Sequence, residues 1–228
     1  MSHYAVAVFS DDGDFDRLLA PYSECNKKYF QFMHVDFEEI ADDYRKFKEN
    51  NNTEQYTLED YIHDWGYKNV NGEWGYYENP NGFYDWYTLD GKSYMFDLKD
   101  DNTPFDETGY YRKDDYDWYP NDAEDIAEAS EFWDTYVVKN EDVGVPTLFK
   151  REYYLERYKT KEQYIREQAR TVPYAFVTPD GVWHAPGRVG WFAVSTETAD
   201  DMEAYYKEWD AWISSNANPY VSIVDCHI

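Results

Sequence analysis

Asp225, Cys226 and His227 place a carboxylate, a thiol and an imidazole on three consecutive positions, and two more imidazoles, His3 and His184, fall in stretches that read as strands. Side chains alternate along a strand, so Asp225 and His227 share one face while Cys226 takes the other. A carboxylate and an imidazole on one face, joined by His3 or His184, are the donor types for a shared divalent metal or for general acid/base work. No pair has the Cys-x-x-Cys or His-Glu-x-x-His spacing of a metal site, and such residues are as often hydrogen-bonded structure. The sequence therefore assigns no metal and no cofactor. Cys25 and Cys226 lack a Gly-rich elbow or a Cys-His signature, so inert thiols are expected. No Gly-x-Gly-x-x-Gly, Walker A or kinase motif is present. Arg188, in the turn Gly187-Arg188-Val189-Gly190, is the candidate base of a ligand pocket with Trp183 and Trp191, although a plain β-connection is the commoner reading of such a turn.

The second candidate chemistry is charge. The 228 residues carry 47 acidic and 21 basic side chains, a formal charge of −26, with 25 tyrosines and nine tryptophans. Such a field repels nucleic acids and anionic membranes and attracts basic protein surfaces. The expected partner is a protein with a basic surface, with no direct nucleic-acid or membrane contact. The densest stretch holds Asp114, Asp115, Asp117, Asp122, Glu124, Asp125, Glu128 and Glu131, interleaved with Tyr116, Trp118 and Tyr119. Carboxylates on a rigid surface can stand in for DNA phosphates while aromatics supply apolar contact. The same pattern also describes a solvated acidic helix face.

These groups need a scaffold. An aromatic content of 21% excludes an acidic disordered chain, although mean hydropathy is only −0.90. Tyr4–Phe9 reads as a buried strand, Asp14–Ala20 as a brief helix, Asp36–Lys48 as an amphipathic helix with Phe37, Ile40, Tyr44 and Phe47 in a stripe, and Thr57 as an N-cap. Residues 66–98 carry Asn-Gly and Asp-Gly turns between aromatic runs, which is hairpin chemistry. Asn121–Lys139 and Arg151–Arg170 read as helices. Beyond Pro173 come a hairpin at Tyr174–His184, a strand at Trp191–Ser195, a helix capped by Thr198 and a last strand at Tyr220–Cys226. The expected fold is α+β: a mixed or antiparallel sheet from the N-terminal strand and the C-terminal third, helices on one face, and a large acidic, aromatic-rich insertion. Its boundaries would be a core of 1–35 and 171–228 and an insertion of 36–170 packed on it as one compact unit. Two cysteines make no disulfide framework, the N-terminal residues do not read as a secretory signal, and no apolar run reaches the ~18 residues of a membrane span, so a reducing, cytosolic setting is expected.

Three stretches resemble a protein family of tailed phages and prophages: Met1-Ser2-His3-Tyr4, Asn79-Pro80-Asn81 with Tyr84-Asp85-Trp86-Tyr87, and Val224-Asp225-Cys226-His227-Ile228. Leu19-Ala20-Pro21-Tyr22, Trp183-His184 and Gly190-Trp191-Phe192 are similar too. The likeness covers both ends and one central patch. It implies a phage or prophage accessory protein and no particular chemistry. Where the family follows its Trp-Tyr run with Gly-Gly-Arg-Trp, this chain has Asp90-Gly91-Lys92-Ser93. Charge, aromatics and resemblance together give the leading expectation, a phage-encoded, non-enzymatic, cytoplasmic binder of a basic host-protein surface, acting as a DNA mimic or host-defence inhibitor. The alternatives are a small metal-dependent or acid/base enzyme for a nucleotide-like substrate at His3, His184, Asp225 and His227, and a nucleotide-sequestering protein.

Overall fold

The computed structural model describes residues 3–51, 56–64, 66–104, 108–119, 123–144, 147, 149–188 and 197–228. The expected strand at Trp191–Ser195 lies outside them. The elements follow the order β1 (His3–Ser10), α1 (Phe15–Leu19), β2 (Gln31–His34), α2 (Phe37–Asn51), α3 (Leu58–His63), β3 (Tyr67–Lys68), β4 (Trp74–Glu78), β5 (Trp86–Thr88), β6 (Tyr111–Arg112), α4 (Ala123–Phe132), α5 (Arg151–Arg157), α6 (Lys161–Ala169), β7 (Ala175–Val177), β8 (Trp183–His184), α7 (Ala199–Ile213) and β9 (Tyr220–His227). The chain is an α+β protein with a mixed main sheet.

Its chain contacts form two units, residues 1–20 with 83–228, and residues 21–82. This division differs from an insertion over 36–170. The physical reason is pairing: β5 and β6 both hydrogen-bond to β9, which ties the segment after residue 83 into the main sheet.

In the larger unit the sheet runs β5-β9-β1-β7-β8, with β6 also on β9. β1 and β9 are antiparallel over eight registered pairs, from His3 opposite His227 to Ser10 opposite Tyr220, while β1 and β7 are parallel. Alternation sends Ala5, Ala7 and Phe9 toward Tyr205, Tyr206 and Trp209 of α7 in one apolar core. Tyr4, Val6 and Val8 on the other face are buried as well, so this strand reads as a continuous apolar run rather than an alternating one. α7 starts at a capping box, with Thr198 Oγ1 accepting from the Asp201 amide at 3.3 Å and the Asp201 carboxylate accepting from the Thr198 amide at 2.8 Å. Its other end is held by Lys113, 1% exposed, whose Nζ donates to the carbonyls of Ile213 at 2.8 Å and Ser215 at 2.7 Å. A cation is the favoured group at a helix C-terminus, although burial holds this ammonium below its ordinary pKa.

A second core joins Ala129 of α4, Trp133 and Val137 of the π-helical turn that continues it, Tyr158, and Tyr164 of α6. The stretch 151–170, expected as one helix, is two. Tyr158 is extended at φ −111° and ψ 126° and buries its ring, and Thr160 starts the next helix by accepting from the Gln163 amide. A buried aromatic at the break outweighs the good helix formers on either side.

In the smaller unit β2, β4 and β3 form an antiparallel sheet in that order. α3 opens on a Thr57–Asp60 capping box. Asn79, 4% exposed, donates its amide to the carbonyls of Pro21 at 2.8 Å and Ser23 at 2.9 Å, so this asparagine fastens the two ends of the unit together.

Candidate functional site

The register of β1 against β9 sets His3, Ala5, Ala7 and Phe9 on the same face as His227, Asp225, Ile223 and Val221. β5 adds Trp86 opposite His227 and Thr88 opposite Asp225. One end of this face therefore gathers two imidazoles, a carboxylate and an indole. His3 Nδ1 lies 3.1 Å from Asp225 Oδ2 and His227 Nε2 lies 3.6 Å from the same oxygen. The His3 and His227 ring centres are 3.7 Å apart at a steep angle, and the Trp86 ring stacks on the other side of His227. Lys92 Nζ stands 3.6 Å from Asp225 Oδ1.

Backbone contacts fix this arrangement. The Asp85 amide donates to His227 O at 2.9 Å and the Lys92 amide to Ile223 O at 3.1 Å. Between them the turn comes so close to β9 that a Cβ on Gly91 would sit 2.8 Å from Asp225 Cβ, which explains the glycine. The cluster is graded in exposure: His3 is exposed, Asp225 half-buried and His227 only 3% exposed. Burial and the neighbouring His3 hold the His227 imidazole below its ordinary pKa, against the opposing pull of Asp225. Cys226 points to the opposite face and is fully buried, which pushes its thiol up and leaves it inert as a nucleophile. His3 of β1, Trp86 of β5, and Asp225 and His227 of β9, far apart in sequence, therefore meet at one end of the sheet.

His184, expected as a partner of these residues, is elsewhere. It sits on β8, stacked on Phe176 at 4.4 Å, with Nδ1 3.1 Å from Glu208. The aromatic core recruits its ring, and the intervening β1 and β7 separate it from β9. Of the pocket candidates, Trp183 packs against Phe83 at 5.0 Å and the Arg188 guanidinium lies 5.5 Å over the same ring, while Trp191 is outside the described residues.

The acidic stretch splits in two. Tyr116 and Trp118, expected on the surface, are 5% and 4% exposed and belong to the α7 core, with Trp118 Nε1 donating to Lys113 O at 2.7 Å. Asp115 turns back to accept from the Arg112 amide and Asp117 from the Tyr119 amide. Asp114 and Tyr119 stay exposed, the Tyr119 hydroxyl donating to Asp210 at 2.8 Å, and Asp122 lies outside the described residues. On α4, Glu124, Asp125, Glu128 and Glu131 are all exposed. Glu124, Glu128 and Glu131 fall on one helical face at intervals of four and three. None of these three forms an ion pair among the described residues, whereas Asp134, Glu167, Asp200, Glu203 and Asp210 each hold a lysine or arginine.

Sequence reasoning missed one concavity. A cavity of about 700 Å³ is lined by Trp118, Tyr119, Ile126, Ile165, Arg166 and Arg170. The one signal for it in the sequence is the stretch 151–170, where six lysines and arginines stand beside four glutamates in an otherwise acidic chain. Arg166 is already held by Glu203 and Arg170 by Asp210, so the cavity offers little unspent positive charge.

Among the described residues no helix is long and apolar enough to cross a membrane. In comparisons with known proteins, no family model, no curated protein and no solved structure matches this chain.

Proposed function

We propose that this is a phage-encoded, non-enzymatic binder that engages a basic surface of a host protein in the host cytoplasm, as a DNA mimic or host-defence inhibitor. The observation that carries the reading is the row Glu124, Glu128 and Glu131, exposed along α4 and without an ion pair among the described residues, while Arg157, Lys159, Lys161, Arg166 and Arg170 are taken up by other acids. At 1.5 Å per residue the row extends about 10 Å along the helix, and the second core anchors it through Ala129 and Trp133. Rigid anchoring matters because carboxylates held in place lose little entropy on meeting a basic partner. Tyr119, exposed beside this region in sequence, is the remaining aromatic contact of the original set. Tyr116 and Trp118 stabilise the fold behind it.

The test is retention of bacterial proteins on the immobilised chain at low salt and at ~1 M salt, where screening falls to about 3 Å, alongside the variant E124K/E128K/E131K. The reading expects a basic protein captured at low salt, released at high salt and not captured by the variant. Capture that survives both changes, or no capture at all, overturns it.

A further inference from the structure

We infer that His3, Asp225 and His227 form a binding site for one divalent first-row transition-metal ion, an inference independent of the α4 surface. The three residues offer one donor atom each within 4.8 Å of one another. Donors bound to a common tetrahedral centre at about 2.1 Å lie about 3.4 Å apart. His3 Nδ1 and His227 Nε2 stand 3.1 and 3.6 Å from Asp225 Oδ2, so small side-chain rotations close the set. Two imidazoles with one carboxylate favour ions such as Zn²⁺, Fe²⁺ or Co²⁺ over Mg²⁺ and Ca²⁺, which prefer all-oxygen surroundings.

A second observation points the same way. Asp225 Oδ1 is buried without a hydrogen-bond partner, its nearest cation being Lys92 at 3.6 Å, while His227, 3% exposed, offers Nε2 to the set and keeps its other ring nitrogen, Nδ1, unbonded. Buried polar atoms in this state are costly, and the cluster holds more donor and acceptor capacity than its own members satisfy. The scaffold is also suited to the task. His3 and His227 face each other across a paired ladder, Trp86 fixes the plane of the His227 ring, and the Lys92 cation beside Asp225 orients the carboxylate from outside the donor set. Three protein donors leave a further coordination position, and His3 forms the solvent-facing edge of the cluster.

Spacing along the sequence conceals such a site, because one donor comes from β1 and two from β9. The experiment is calorimetric titration of untagged, chelator-treated full-length chain with Zn²⁺ in ~0.5 M salt, which suppresses the diffuse cation cloud expected of an acidic protein. Co²⁺ absorption reports the geometry. The expected result is one equivalent of Zn²⁺ bound saturably, a tetrahedral-type Co²⁺ spectrum, and at least about tenfold weaker binding in His3→Ala and Asp225→Asn. His3→Ala is the decisive variant because its exposed side chain can be removed without opening the core, and near-ultraviolet circular dichroism verifies folding. Absence of saturable binding, binding unchanged in both variants, or equal binding of Mg²⁺ overturns the assignment.

Discussion

The segment 113–119 and the sheet end around His227 are built from the same residue types, acids beside aromatics, and fold them in opposite senses. In the first, Tyr116 and Trp118 turn inward and Asp114 stays in water. In the second, Trp86 is 45% exposed while Asp225 and His227 are drawn in. The difference lies in how each backbone is held. Residues 113–119 carry one 3-10 turn at Lys113–Asp115 and one isolated antiparallel bridge, Tyr116 opposite Leu98, closed by Lys99 N to Asp115 O and Asp117 N to Asp97 O at 2.8 Å, so no extended ladder sets the direction of the side chains along it. β9 is a ladder strand whose alternation is imposed by β1 and β5. Periodicity predicts faces only where a ladder or a helix enforces it.

Trp118→Ala would break the comparison most directly. As a core residue it should lose about 3–5 kcal/mol in chemical denaturation. An unchanged midpoint would return it to the binding surface. Lys113→Met should cost about 2–3 kcal/mol by stripping the last turn of α7 of its cation, read as a lower melting temperature. Gly91→Ala probes the other region, where the added methyl meets Asp225 and should cost about 1–3 kcal/mol. Acidification gives a smaller and directional effect. Hydrogen bonds from the Thr198 amide and hydroxyl hold Asp201 below its ordinary value of 3.8. A depressed carboxylate stabilises the fold above that ordinary value, and the contribution fades as pH falls through the folded value. Helicity followed below pH ~4 should therefore drop in the wild type and change less in Asp201→Asn. Smallest of all should be E124Q/E128Q/E131Q, within about 0.5 kcal/mol of wild type. A large loss there would mean that the acid row supports the fold rather than a partner.

Legibility followed the same division. β1, β9 and α7 could be read because an apolar strand and a capped helix carry their own signals, Tyr4–Phe9 for the first and Thr198 with Tyr205, Tyr206 and Trp209 for the last. The break at Tyr158 could not, since its cause is a ring buried against Trp133 and Tyr164. The nearness of His3, Asp225 and His227 was suggested by strand alternation, but the closure of the set by Trp86 and Lys92 was not, because residues 83–92 read as generic hairpin. His184 and Trp118 were misplaced for one reason: with so many aromatic rings, local sequence does not say which of them the core will take.

The pairing of β1 with β9 also governs the order in which the protein can be made. His3 and Asp225 are 222 positions apart. At the usual 5–20 residues per second, a ribosome needs roughly 10–45 s between them. For most of that interval, until β7 is made at Ala175–Val177, Tyr-Ala-Val-Ala-Val-Phe exists as a sticky strand with neither neighbour available, and its longer partner β9 comes later still. Such high contact order slows folding, and a bare apolar strand invites misassociation among nascent chains. Yield in a cell should therefore depend on chaperones that shield Tyr4–Phe9 until β9 has been made.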